Sequence, residues 1–129
     1  MKTPVWVPLH AVVAMHAELV DEHGGLFGPA RIADLEAALA RPRHQHRYSD
    51  PSPLERLAAA YGFALARNHC FADGNKRIAL ALIDVFLQMN GRELTAEEVD
   101  AAEIIRSVAA GKVTEEQLAA WISEHVRGT

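Results

Sequence analysis

Ten consecutive residues, Ile78-Ala79-Leu80-Ala81-Leu82-Ile83-Asp84-Val85-Phe86-Leu87, restrict the fold of this chain more than any other stretch. A single carboxylate interrupts an otherwise apolar run. Wound as a helix, such a run presents hydrocarbon on nearly all sides and must be surrounded by other elements. It is too short to cross a bilayer, which takes about 20 apolar residues. The run is therefore read as a core helix over residues 76–89, stopped by Asn90-Gly91, with the remaining helices packed around it.

The segment feeding that helix is His69-Cys70-Phe71-Ala72-Asp73-Gly74-Asn75-Lys76-Arg77. The first turn of a helix carries unpaired N–H groups and the positive end of the macrodipole, a natural place for a phosphate. Gly74 and Asn75 tolerate positive φ, so the turn is able to aim successive N–H groups inward. Lys76 and Arg77 add two cations where cations disfavour the helix itself, a conflict that a bound anion relieves. Histidine is the side-chain type suited to act as a base near neutral pH, and His69 supplies one for an attacking hydroxyl. Asp73 is the residue type that holds Mg²⁺ beside a polyphosphate. Each residue alone has a plainer explanation: a structural histidine, a turn aspartate, a solvated cation pair. Their joint occurrence in one short loop is what points to phosphorus chemistry.

Five other helices are read from apolar spacing and punctuation. The first carries Leu9, Val12, Val13, His16, Leu19 and Val20 and ends at Gly24-Gly25, with Pro8 at its start. The second runs from Ala30 to Ala40 and closes at Arg41-Pro42. Residues 43–53 are polar and read as an exposed loop or small hairpin suited to meeting a partner. Ser52-Pro53-Leu54-Glu55 is read as a capped start of the third, whose stripe is Leu54, Leu57, Ala58, Tyr61 and Leu65. Two further capping boxes, Thr95–Glu98 and Thr114–Gln117, open the last two helices. The result is an all-α single domain, residues 1–129, of about six helices.

Bulk properties narrow the function. The 129 residues are half hydrophobic and 23% charged, with a formal net charge of −4, which argues against direct nucleic-acid binding. The single cysteine, Cys70, excludes an internal disulfide and multi-cysteine zinc sites. Its neighbour His69 is adjacent in sequence, which does not make a nucleophile–base pair. His16 lies on an apolar stripe and reads as a core or boundary residue. His44 and His46 suggest a metal pair, but no further ligands accompany them. No signal peptide or membrane span is evident, and a cytoplasmic location is expected.

Residues 69–77 match the pattern His-x-Phe-x-Asp/Glu-Gly-Asn-Gly/Lys-Arg at every defining position. The chain thereby resembles the Fic/Doc family, and most closely its Doc (death-on-curing) branch, the toxins of toxin–antitoxin pairs. His23–Gly28 and the Asn90-Gly91 helix stop extend the resemblance from about residue 5 to residue 126. It implies a Fic-like helical bundle around a central buried helix. It implies His69 as the base, Asp73 as a Mg²⁺ ligand, Gly74 and Asn75 as the shapers of an anion hole, and Arg77 as a nucleotide-phosphate ligand. Lys76 is the telling position. Most Fic enzymes have glycine there and transfer AMP to a protein hydroxyl. Doc-like chains have lysine and are thought to bind ATP reversed, as kinases of a threonine in elongation factor Tu, arresting translation.

The resemblance also implies a Phd-like antitoxin as partner, since no inhibitory Ser/Thr-x-x-x-Glu-Gly/Asn segment is found in the chain. Cys70 departs from the proline common in Fic proteins. Two alternatives stand beside the kinase: a nucleotidyl transferase of the usual Fic type, and a non-catalytic module that binds antitoxin or nucleotide.

Overall fold

The computed structural model describes residues 3–49 and 52–128. Six helices follow one another: α1 (Leu9–His23), α2 (Ile32–Tyr48), α3 (Leu54–Arg67), α4 (Asn75–Met89), α5 (Glu98–Ala109) and α6 (Glu115–Glu124). The expected all-α bundle is the observed one. It carries in addition a two-stranded antiparallel sheet, β1 (Arg92–Leu94) and β2 (Val126–Gly128), in the register Arg92↔Gly128, Glu93↔Arg127 and Leu94↔Val126. The Arg127 Nε–Glu93 Oε2 ion pair, 2.8 Å, lies across that register.

The centre is shared by two helices. α4 buries Ile78, Ala79, Leu82, Ile83, Phe86 and Leu87, a stripe at helical spacing, and leaves Asp84 half-buried at the rim. α3 is covered along most of its length, by α2, α4, α5 and α6. Burying each large aliphatic side chain of this core contributes about 1.5–3 kcal/mol. Gly62 lets the two central helices approach closely, since a Cβ there would lie 2.3 Å from Ile83 Cδ1 and 2.7 Å from Ile83 Cγ1.

Three expectations about element ends need correction. α2 does not close at Pro42 but continues to Tyr48, so residues 43–48 are helical rather than a loop. Asp50 and Pro51 of the expected loop lie outside the described residues. A proline inside a helix costs about 3 kcal/mol. Its neighbours offset that cost: Pro42 is buried, Arg41 pairs with Glu115, and Arg43 and His46 pack on the Trp6 ring at 5.5 and 5.8 Å. Ser52 does not cap α3 but turns its hydroxyl back to the Gln45 and Ser49 carbonyls at the end of α2. Thr95 does not cap α5, because its N–H donates to His125 O at 2.6 Å and the helix starts at Glu98 instead. The capping box at Thr114 is formed as expected, with Thr114 Oγ1 and Gln117 Oε1 each accepting the other residue's backbone N–H.

The extended segment before α1 is tied to the far end of α4. The Asn90 side chain accepts from Val5 N–H at 2.8 Å and donates to Val5 O and Phe86 O at 3.0 and 2.8 Å. Behind it, the buried Tyr61 hydroxyl accepts from Val7 N–H at 3.2 Å.

Candidate active site

α3 ends at Arg67, and residues 69–74 form a loop that turns the chain into α4. Two devices hold its shape. The Asn75 side-chain amide accepts from Phe71 N–H at 3.1 Å and donates to Phe71 O at 2.9 Å, closing a short ring. Gly74 sits at φ +77°, which a Cβ would strain, and precedes α4 directly. The first helical hydrogen bond of α4 runs from Ile78 N–H to Gly74 O. The N–H groups of Asn75, Lys76 and Arg77 therefore precede the ladder and stand at the positive end of the helix.

A cavity of about 650 Å³ lies over this helix start. His69, Asp73, Gly74, Asn75, Lys76 and Arg77 all line it, so the loop brings every candidate residue to one space. Asn75 spends its side chain on the loop, which leaves its backbone N–H facing the helix end. Lys76 has no side-chain partner among the described residues, and Arg77 makes one long contact, 3.5 Å, to Gly24 O. The far wall comes from α5, whose Ala102, Ile105, Arg106 and Ala109 face the loop. Arg106 adds a third cation to the lining, where Asp73 is the single carboxylate among the described residues. Cations thus outnumber carboxylates in this lining, although the chain as a whole carries net negative charge.

Asp73 is held on two sides. Its Oδ2 accepts from Leu26 N–H at 3.1 Å and its Oδ1 from Gly74 N–H at 2.8 Å. These bonds, the Leu26 bond foremost, hold the Asp73 carboxyl below the ordinary carboxylate range, with a smaller contribution from Arg77. The carboxylate stays ionised and keeps free lone pairs. No cluster of three metal-ligating side chains exists among the described residues. One exposed carboxylate beside a cationic pocket suits Mg²⁺, which is commonly held by one or two carboxylates, waters and the substrate's own phosphates.

Cys70 is fully buried, and burial together with the nearby Asp34 pushes its thiol pKa up, so it is no nucleophile. His44 packs on Tyr48 and His46 on Trp6, and neither joins a metal cluster among the described residues. Three contributors were missed from sequence. Arg106 lies on α5 with no motif around it to single it out. The α1–α2 loop reaches the site through Leu26 and through Arg31 N–H, which donates to Cys70 O at 2.8 Å. His16 is buried beneath the turn, as its stripe position implies, but it also touches Asp73. No helix among the described residues is long and apolar enough to cross a membrane.

A loop that brings a histidine, a carboxylate and two cations to a helix N-terminus has the arrangement of a Fic-type site. A model of the Fic/DOC family matches residues 6–87, and the chain belongs to that family. The protein kinase doc of Escherichia phage P1 is 30% identical over 103 residues, covering 80% of this chain and 81% of the phage protein. The toxin Doc of Mycolicibacterium smegmatis is 48% identical over 71 residues, covering 54% of this chain and 55% of that protein.

Proposed function

We propose that this protein is a Doc-type toxin that transfers the γ-phosphate of ATP to a threonine hydroxyl of elongation factor Tu and is held in check by a Phd-like antitoxin. The observation that carries the reading is the convergence of His69, Asp73, Lys76 and Arg77 on one cavity above the N-terminus of α4. The names of the two relatives, a protein kinase and a toxin, agree with it.

In this reading the polyphosphate lies across the first N–H groups of α4, with Lys76 and Arg77 as charge clamps. Arg106 lies on the opposite wall and neutralises charge from that side. The target hydroxyl gives its proton to His69 as its oxygen bonds to the γ-phosphorus. The bond from that phosphorus to the β–γ bridging oxygen breaks, and ADP leaves with the electron pair. Asp73 is the residue that would hold Mg²⁺, which when bound supplies charge neutralisation on the phosphate oxygens. The exposed His69 is open to a protein substrate, and the protein contributes chiefly positioning and electrostatics.

The test uses purified protein, elongation factor Tu and ATP labelled at either the α or the γ position. Label from γ-labelled ATP should appear on the target and vanish with His69→Ala. Label from the α position instead would replace the kinase reading with nucleotidyl transfer. Growth arrest unaffected by His69→Ala would favour a non-catalytic binding module.

A further inference from the structure

His16 is the one buried histidine among the described residues, 4% exposed, on a face of α1 otherwise built from Val12 and Val20. A valine or leucine would fill such a position without a polar cost, whereas a buried imidazole needs a partner. The partner is the Asp73 carbonyl, 2.6 Å from Nε2. A carbonyl only accepts, so Nε2 carries the proton and donates. The ring is held flat on Phe71, with centroids 3.8 Å apart and planes 13° apart. It also fills the space beside Gly74, where a Cβ would lie 3.3 Å from Nε2.

Resting on the reading that this turn cradles a nucleotide phosphate, we propose that His16 is the positioning residue of the turn, and that its Nε2–H sets the plane of the Asp73–Gly74 peptide. That peptide is planar. Holding its carbonyl against α1 turns the Gly74 N–H away from α1, to the side where Asp73 Oδ1 accepts it at 2.8 Å. Leu26 fixes the same carboxylate from the α1–α2 loop. α1 thus orients the peptide from behind while the loop holds the side chain in front. Both Asp73 and the first N–H groups of α4 depend on that plane. Without the donor, the carbonyl faces an apolar surface, and the soft dihedrals on either side of the peptide let it rotate.

Two variants separate the hydrogen bond from the packing. His16→Phe keeps a flat ring on Phe71 and removes the donor. His16→Gln keeps an N–H near the Nε2 position and loses the ring. Three readouts apply to each: the thermal midpoint, the one-bond N–H residual dipolar coupling of Gly74 in the protein alone, and kcat for transfer to elongation factor Tu. His16→Phe should stay folded, change the Gly74 coupling and lower kcat by about 10- to 100-fold, the scale of a misplaced catalytic geometry. His16→Gln should return the coupling and most of the rate even where its midpoint is lower. An unchanged Gly74 coupling in His16→Phe overturns the inference. So does a rate that follows the loss of folded protein equally in both variants. A wild-type protein with no transferase activity would refute the functional reading alone, because the dipolar coupling still decides the role of His16.

Discussion

Gly62→Ala tests how tightly the two central helices are joined. The added Cβ would sit 2.3 Å from Ile83 Cδ1 and 2.7 Å from Ile83 Cγ1. The first overlap is the milder, because Cδ1 is a chain end and swings away about χ2. Cγ1 moves only with χ1, and a β-branched residue in a helix has essentially one χ1 rotamer. Ile83 is 1% exposed, so it has no solvent to retreat into. Overpacking of this kind costs about 1–3 kcal/mol, and the burial of both Gly62 and Ile83 places it near the upper end. Replacing a helical glycine by alanine returns about 1 kcal/mol of propensity. The net expectation is a loss of about 1–2 kcal/mol. With an unfolding entropy of about 2.1 cal/mol/K per residue, that lowers the midpoint by about 4–8 °C. Differential scanning calorimetry reads this directly. A variant melting at or above wild type would show that propensity outweighs the overlap, and would refute the close approach as a constraint. Ile83→Ala in the same background should relieve the overlap, making the pair less damaging than the sum of its parts.

Three further outcomes follow from the packing. Glu115→Ala removes the carboxylate that serves both Arg41 and Arg56; because Arg41 is 47% exposed, the urea midpoint should fall by the equivalent of about 2–3 kcal/mol, less than a fully buried pair would lose. Tyr61 is buried, which pushes its phenol pKa up from 10.0, so its contribution to stability is complete below that value and is lost as pH rises through the higher folded value. Tyr61→Phe should cost about 1 kcal/mol at neutral pH through the orphaned Val7 N–H, yet lose less stability than wild type on titration to about pH 11. Asn90→Ala should cost about 1–2 kcal/mol and speed hydrogen exchange at Val5, because three hydrogen bonds to Val5 and Phe86 are lost together.

The helices of this fold were legible because their apolar spacing and glycine stops are local facts. The site was legible for the same reason: residues 69–77 carry their own turn, charges and helix start. What escaped was decided at long range. Thr114 and Thr95 open similar capping patterns, yet the box forms only at Thr114, because the Thr95 backbone is drawn to His125 beside the β1–β2 pair. Three-residue strands in separate parts of the chain leave no usable signal alone. Pro42 is a sound helix stop by itself, and only Trp6 and Glu115, each distant in sequence, carry α2 beyond it. His16 fell on an apolar stripe, as read, but its contact with Asp73 depends on how α1 packs beneath the turn. Arg106 stays on the exposed side of α5, and only the packing of that helix across the α3–α4 joint brings it to the cavity.

The division of the cavity between two stretches of chain has a consequence for synthesis. Residues 54–89 form a local helical hairpin, and contacts of short sequence separation are the quickest to form. During elongation His69, Asp73 and the cationic turn therefore leave the ribosome as one unit. The wall bearing Ala102, Ile105 and Arg106 is made later. A nascent chain whose α5 has not yet emerged from the ribosome holds His69, Asp73, Lys76 and Arg77 on an open ledge, exposed to water. The walled cavity exists only after Arg106 has emerged from the ribosome, so the order of synthesis itself delays its completion.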